Sequence, residues 1–139
     1  MKKRLFTLLL VVVLTLGIST AAYAATGTFD FQLRVAAPGR TGISSAVVKK
    51  DACGYFVLTI TQTTLEGTQV ATMYVRDKNG SRVTDIFYAR PNNTPRSGIQ
   101  RDYIKTPDYG SNYPYRLYGY LNKDRADGDY TQVKGRWTP

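Results

Sequence analysis

The sequence lacks histidine altogether, and it contains one cysteine and, in Glu66, one glutamate. Without histidine, the Ser–His and Cys–His nucleophile pairs and the commonest metal ligand are excluded. A carboxylate-based hydrolase needs two carboxyl groups about 5 to 10 Å apart in a cleft, whereas the aspartates here stand mostly in turn sequences, where backbone capping explains them. The acidic run 122–129 does not have the spacing of a calcium loop. We therefore expect no enzymatic activity, no cofactor and no metal site.

Cys53 is the only cysteine, so the chain can form no internal disulfide. A free thiol and an intermolecular bridge both remain open for an exported protein with one cysteine. A third interpretation, which we favour, is that Cys53 is a small buried apolar residue between Ala52 and Gly54.

The first 24 residues have the pattern of a secretory signal peptide. Residues 2–4 are basic, residues 5–18 form an apolar run, and Ala-Tyr-Ala at 22–24 supplies small residues for cleavage. A membrane anchor would need about 20 apolar residues, and this run has 14. We expect residues 1–24 to be removed and residues 25–139 to form one domain, secreted or associated with the cell wall, with no transmembrane segment.

The chain is basic, with 19 Lys and Arg against 10 Asp and Glu. Without the three cations of residues 2–4 the net charge is about +6, and only Lys49 and Lys50 are adjacent, at the exit of a strand where charge would protect an edge. Scattered charge of this kind favours an anionic cell-wall polymer, a membrane surface or an extracellular protein as partner. No basic helix or zinc ligand set supports nucleic-acid binding, and the oligomeric state stays open.

The residues after position 24 predict strands and no helix. Phe29, Phe31, Leu33 and Val35 alternate with polar residues, and similar alternation or strand-forming composition marks the segments 43–50, 54–64, 70–88, 115–122 and 130–137. Residues 99–105 fit a strand in either parity. About seven short strands separated by turns indicate an all-β, single-domain antiparallel β-sandwich. We expect the third, fourth and fifth strands to form an antiparallel meander.

A hairpin turn at Asp77-Lys78-Asn79-Gly80 is the clearest local signal, because Asn and Gly tolerate the positive φ of a tight turn. A two-residue loop would set Lys78 opposite Ser81. A three-residue loop, which we prefer because Asp77 then caps the turn, sets Asp77 opposite Ser81. This preferred register makes four further pairs: Val75 with Val83, Ala71 with Phe87, Met73 with Asp85, and Arg76 with Arg82.

Tyrosines are concentrated late in the chain, together with cations. Residues 103–120 contain six tyrosines, and an aromatic and cationic surface suits sugar stacking, protein recognition or a membrane interface. The alternative is that tyrosine is a good strand former and that these rings cover one side of a sandwich. The expected binding surface consists of Tyr109, Tyr113, Tyr118, Tyr120 and Arg116.

Three short motifs give the chain a resemblance to known proteins. They are Phe-x-Phe at Phe29 and Phe31, Asp-x-x-Gly at Asp77 and Gly80, and Gly-x-Trp at Gly135 and Trp137. With its leader, the chain resembles small secreted Gram-positive bacterial proteins of unknown function. In size and β-sandwich character these resemble bacteriocins of the lactococcin type, which contain histidine. The resemblance assigns no functional residue.

The function expected from these features is a secreted non-enzymatic binding protein acting at or near the bacterial cell surface. Two alternatives stay open at this point. One is a bacteriocin-like antagonistic protein, and the other is an inhibitor of an extracellular enzyme that inserts the loop of residues 90–98 into its target.

Overall fold

The structure is a computed structural model that describes residues 25–35, 41–49, 51–94 and 96–139. The predicted signal peptide, residues 1–24, lies outside the described residues. Within these ranges, no helix is long and apolar enough to cross a membrane.

The described residues form nine β-strands and one short 3-10 helix. The strands are β1 Gly27–Leu33, β2 Gly42–Ile43, β3 Val47–Val48, β4 Tyr55–Thr63, β5 Ala71–Arg76, β6 Phe87–Ala89, β7 Arg96–Asp102, β8 Pro114–Leu121 and β9 Thr131–Thr138. The 3-10 helix, Pro91–Asn93, lies between β6 and β7. Where the sequence predicted one strand over residues 43–50, the described residues form the two short strands β2 and β3, and the count is nine instead of about seven.

Two antiparallel sheets pack against each other, which confirms the predicted all-β sandwich. The four-stranded sheet has the order β1-β9-β4-β7, and the five-stranded sheet has the order β2-β8-β5-β6, with β3 also paired to β8. β6 and β7 are therefore end strands, one in each sheet, and the 3-10 helix connects them.

The core lies between the sheets and is built from the apolar face of each strand. β1 buries Phe29, Phe31 and Leu33 as its alternation predicts, whereas Val35 lies beyond the strand and is exposed. β8 and β9 also alternate as predicted. Their buried residues are Tyr115, Leu117, Gly119, Leu121, Thr131, Val133, Gly135 and Trp137. The ambiguous strand β7 takes the parity that buries Ile99.

Glycines accommodate the two phenylalanines of the Phe-x-Phe motif. Phe29 is the cross-strand partner of Gly135, and a Cβ at Gly135 would lie 2.8 Å from the Phe29 ring. A Cβ at Gly119 would lie 2.7 Å from the ring of Phe31, and a Cβ at Gly42 would also collide with that ring. The Phe-x-Phe and Gly-x-Trp motifs therefore have a packing role, because large rings fill space that small residues leave open.

The predicted meander is wrong at its first step: the predicted third and fourth strands are β4 and β5, which lie in different sheets, whereas the predicted fourth and fifth strands do pair, as β5 and β6. β4 pairs with β7 and β9 in the four-stranded sheet, whereas β5 pairs with β6 and β8 in the five-stranded sheet. The chain changes sheets between Thr63 and Ala71, where Gln69 is buried and donates a hydrogen bond to the hydroxyl of Thr131 at 2.9 Å. The buried Gln69 side chain thus stabilises the connection between the two sheets. The alternation of residues within a single strand does not predict such a connection.

The hairpin turn has the preferred three-residue loop. The Asp77 amide donates to the Ser81 carbonyl at 3.0 Å, Gly80 has a φ of 80°, and Arg76 and Arg82 form a bridge pair. The Asp77 carboxylate accepts hydrogen bonds from the amides of Asn79 and Ser81, each at 2.9 Å. The aspartate therefore caps the turn as expected.

Further from the turn, the preferred register is wrong by two residues. Ala71 pairs with Ala89, not with Phe87, and Met73 pairs with Phe87, not with Asp85. The Val83 amide still donates to the Val75 carbonyl at 2.9 Å, whereas Thr84 forms a bridge pair with Tyr103 and the Asp85 amide donates to the carbonyl of Asp102 on β7. This detour keeps Asp85 out of the core and gives Met73 an apolar partner, which is the physical reason for the shift.

Candidate functional site

The outer face of the five-stranded sheet brings tyrosines and arginines together on two central strands. In the register of β5 and β8, Tyr74 is opposite Tyr118 and Arg76 is opposite Arg116. Directly opposite residues of an antiparallel pair point to the same side of the sheet. We name the set Tyr74, Tyr88, Tyr118, Tyr120, Arg76 and Arg116 the tyrosine–arginine face.

Tyr74, Tyr118 and Arg76 form the packed centre of this face. The two rings are nearly parallel, with 10° between their planes and centroids 5.9 Å apart. The Arg76 guanidinium carbon lies 4.7 Å from the Tyr118 centroid and 5.3 Å from the Tyr74 centroid. Arg76 also donates a hydrogen bond to the Tyr74 hydroxyl at 3.1 Å. The cation is thus held against both rings by cation–π contacts and one hydrogen bond.

Three exposed apolar or aromatic side chains surround this centre. Tyr120 meets Tyr74 edge to face with a centroid distance of 6.2 Å, and its side chain is 41% exposed. Tyr88 on β6 and Ile43 on β2 are 48% and 51% exposed. Thr72 lies opposite both Tyr88 and Tyr120 and is nevertheless buried, which shows that the neighbouring side chains cover it.

The structure places three of the five sequence-predicted residues on this face. Arg116, Tyr118 and Tyr120 alternate along β8 and point outward. Tyr109 and Tyr113 lie in the loop between β7 and β8 and make no ring contact with the tyrosines of the face among the described residues. The Lys78 ammonium sits 4.6 Å from the Tyr113 centroid, so Tyr113 belongs to the hairpin end of the sandwich.

Tyr74, Tyr88 and Arg76 belong to the face although the tyrosine clustering in the sequence did not point to them. All three lie in the hairpin, more than ten positions before the tyrosine-rich segment. The signal that could have found Tyr74 and Arg76 is their parity, because both alternate with the buried Met73 and Val75 on one strand. Their proximity to Tyr118 depended on the pairing of β5 with β8, which the sequence did not show.

The cations are less scattered in the fold than in the sequence. Arg82 and Arg116 flank Arg76 on its two neighbouring strands, so three arginines lie side by side. The predicted hairpin register already set Arg76 opposite Arg82, and the pairing of β5 with β8 adds Arg116, which follows Arg76 by 40 positions in the chain. The expectation of thinly spread positive charge is therefore wrong for this part of the surface.

Lys49 is a second unusual cation, and it is fully buried. Its ammonium group donates to the Asp51 carboxylate at 3.2 Å and lies 5.1 Å from the Tyr103 ring centroid. The expectation that Lys49 protects an exposed edge is wrong, because its side chain turns into the core beside Tyr103; Lys50 lies outside the described residues. The amide of Cys53 and the Lys49 ammonium both hold the pKa of Asp51 below its ordinary value, with the amide contributing more.

The surroundings of Lys49 favour a structural role. Burial raises the pKa of Tyr103, whose hydroxyl has no hydrogen-bond partner in the part of the chain that the structure describes, and the Tyr103 ring meets Tyr115 edge to face. The charge of Lys49 is matched by Asp51, as a buried cation requires.

Cys53 is a half-buried free thiol, so it is more accessible than the buried residue that the sequence favoured.

No group of three or more His, Cys, Asp or Glu side chains that could hold a metal ion occurs in the part of the chain that the structure describes.

Neither family models, nor curated proteins, nor solved structures yielded a match to this chain. The resemblance to small Gram-positive secreted proteins therefore stays a prediction.

Proposed function

We propose that the protein is a secreted, non-enzymatic binding protein that acts at or near the bacterial cell surface through its tyrosine–arginine face. The observation that carries the proposal is the Tyr74–Tyr118 stack, which fixes Arg76 at its centre and is surrounded by exposed Tyr88, Tyr120 and Ile43. Aromatic residues and arginine are the residue types most enriched where proteins recognise their partners.

The rigidity of this face also supports the proposal. Tyrosine has only two side-chain torsions, so it contributes contact area at a low cost in conformational entropy. Tyr74 and Tyr118 are already stacked, and Arg76 is held by both of them. A partner that binds here would order few additional torsions, which favours affinity.

Retention on isolated bacterial surfaces tests the proposal. Purified protein is incubated with cell wall and, separately, with anionic liposomes at low and high salt. We expect retention that salt weakens, because exposed charges are screened within a Debye length of about 8 Å at physiological salt. Absence of retention on both materials at every salt concentration would overturn the proposal.

A pair of double variants assigns the retention to this face. Tyr88→Ala with Tyr120→Ala removes two exposed rings of the face, and we expect it to weaken retention. Tyr55→Ala with Tyr109→Ala removes two exposed tyrosines that lie elsewhere, and we expect retention to be unchanged. Equal losses in both double variants would show that the face is not the binding surface.

Of the two alternatives, the inhibitor hypothesis relied on a long loop over residues 90–98. In the structure, Pro91–Asn93 forms a 3-10 helix and β7 begins at Arg96, so the connection is shorter than predicted. The Asn93 side chain accepts a hydrogen bond from the Arg90 amide at 2.7 Å and donates one to the Tyr88 carbonyl at 3.3 Å. The loop is thus held against β6. No observation favours the antagonist hypothesis over the binding protein.

A further inference from the structure

Six arginines from positions 76 to 116 form a continuous line on the folded surface. Arg116 is opposite Arg76, and Arg76 is opposite Arg82. Arg82 and Arg101 line a shallow depression of about 380 Å³. Arg101 also lines the adjoining depression of about 390 Å³, together with Arg96 and Arg90. We call this line the arginine track; its members are Arg116, Arg76, Arg82, Arg101, Arg96 and Arg90.

The track runs from the outer face of the five-stranded sheet to one edge of the sandwich. Its first half crosses the outer face of the five-stranded sheet, from β8 through β5 to the hairpin. Its second half lies beside β6 and β7, which are the end strands of the two sheets on this side. A ligand that contacts the whole track must therefore bend around the edge of the molecule.

The arginines of the track have no carboxylate partner among the described residues. The cations that form ion pairs among the described residues are Lys49, Arg125 and Lys134, and none of them belongs to the track. Asp85 lines one depression with Arg82 and Arg101 without coming within ion-pair distance of either. The charge of the track is thus available to a ligand.

Hydrogen-bonding capacity is also available along the track. A guanidinium group has five donors, and Arg76, Arg101 and Arg116 each use one of them in a hydrogen bond at 3.1, 2.7 and 3.4 Å. The Nε of Arg76 is buried and has no hydrogen-bond partner among the described residues, so a ligand would meet the terminal nitrogens of this guanidinium. Like charges directly opposite each other on neighbouring strands destabilise a sheet, so the row of Arg116, Arg76 and Arg82 would be relieved by a shared anion.

We propose that the arginine track binds a flexible linear polyanion of the cell surface, a chain that repeats phosphate or carboxylate groups and carries no nucleobases. Both groups accept the paired hydrogen bonds that a guanidinium fork offers. Neighbouring strands lie about 4.8 Å apart, so repeated anionic groups can meet successive arginines along the row. A planar membrane surface cannot contact the outer face and the edge at the same time, whereas a flexible chain can follow both.

This inference names the ligand class of the proposed binding function and rests on that function. The tyrosine–arginine face and the track share Arg76 and Arg116, which would join ring contacts to charge contacts in one site. The chemical identity of the anion decides the source of the polymer, so the experiment has separate phosphate and carboxylate arms.

The test is a titration of the purified protein with long-chain polyphosphate, polyglutamate and inorganic phosphate at two salt concentrations. We expect at least one of the two polymers to bind more tightly than inorganic phosphate at equal concentration of anionic groups, and higher salt to weaken that binding. Affinity no greater than that of inorganic phosphate for both polymers would overturn the inference. Stronger binding to an oligothymidylate of equal charge would also overturn it in favour of single-stranded nucleic acid, and stronger binding to anionic vesicles would do so in favour of a membrane.

Two charge-matched double variants locate the site. Arg82→Gln with Arg96→Gln removes two exposed members of the track, and we expect the affinity for the polymer to fall about tenfold, as for two exposed charge contacts. Lys123→Gln with Arg136→Gln removes two exposed cations away from the track, and we expect less than a twofold change. An equal loss in both would mean that only net charge matters and would overturn the track.

The cell-wall experiment separates the two proposals. Retention on cell wall that depends on Tyr88 and Tyr120, combined with no polymer binding, would overturn the track and leave the proposed function standing. Absence of retention on both cell wall and liposomes, combined with tight polymer binding at the track, would overturn the proposed function alone.

Discussion

The guanidinium of Arg76 lies 4.7 Å from the ring centroid of Tyr118, on the strand next to its own. This contact joins the aromatic and the cationic parts of the outer sheet face, because Tyr118 also stacks on Tyr74. The residues come from segments about 40 positions apart and meet only because β5 pairs with β8. The same contact offsets part of the repulsion between Arg76 and its arginine neighbours.

Replacing Tyr118 with alanine removes the stack and one cation–π contact. We expect the free energy of unfolding to fall by about 1 to 2 kcal/mol, the combined worth of an aromatic pair and an exposed cation–π contact. Urea denaturation measures the change. Tyr109→Ala is the control, because Tyr109 is 55% exposed in a loop, and it should change stability by less than about 0.5 kcal/mol. Equal effects would mean that the stack contributes nothing.

Adding a methyl group at Gly119 tests the packing of Phe31. The new Cβ would lie 2.7 Å from the Phe31 ring, and such overpacking costs about 1 to 3 kcal/mol of unfolding free energy. Gly54→Ala is the control, because a methyl group at Gly54 would have no heavy atom of the other described residues, apart from its two chain neighbours, within 4 Å. Thermal unfolding of both variants checks the prediction, and a stable Gly119→Ala protein would show that Phe31 can move aside.

Neutralising Asp51 leaves the buried Lys49 without its carboxylate. We expect Asp51→Asn to lower the free energy of unfolding by about 1 to 2 kcal/mol, less than the roughly 3 to 5 kcal/mol of a fully buried charge pair, because Asp51 is partly exposed. Adding Lys49→Met should recover stability, since an apolar residue of similar length needs no partner. Chemical denaturation of the two variants is the measurement, and failure of the second change to restore stability would contradict this account of Lys49.

Asp127 provides a test by titration. The Arg125 guanidinium, at 2.8 Å, and the Asp129 amide hold the pKa of Asp127 at about 2. A lowered carboxyl pKa stabilises the fold above the ordinary Asp value, near 4, and this contribution is lost as pH falls toward 2. Carboxyl NMR titration should show the low pKa in the wild type and a return toward the ordinary value in Arg125→Gln. An unchanged pKa in that variant would rule out Arg125 as the cause.

The fold could be predicted from the sequence wherever one strand shows its own alternation. Phe29, Phe31 and Leu33 on β1, and Tyr115, Leu117 and Leu121 on β8, are buried as their spacing predicts. Strand partners could not be predicted in the same way, because pairing depends on contacts between distant segments. β4 and β5 are successive strands in different sheets, and the detour at Thr84 and Asp85 shifts the pairing of Met73 by two residues.

The site was predicted only as far as it follows one strand. Arg116, Tyr118 and Tyr120 lie two positions apart on β8, so their parity placed them on one face. Tyr74 and Arg76 lie on the same face because β5 pairs with β8. Tyr109 and Tyr113 lie away from it, in the loop before β8, where Tyr113 contacts Lys78 at the hairpin end. The arginine track is assembled from five separate segments, so composition alone indicated scattered charge.

The most direct test of the central claim is a map of the backbone amides that respond to a solubilised cell-wall polymer. We predict that NMR chemical-shift changes concentrate at residues 72–76 and 116–120, which carry the tyrosine–arginine face. The outer face of the four-stranded sheet, which includes Thr28, Thr59 and Arg136, serves as the internal control. Changes confined to that opposite face, or no changes at saturating polymer, would contradict the claim.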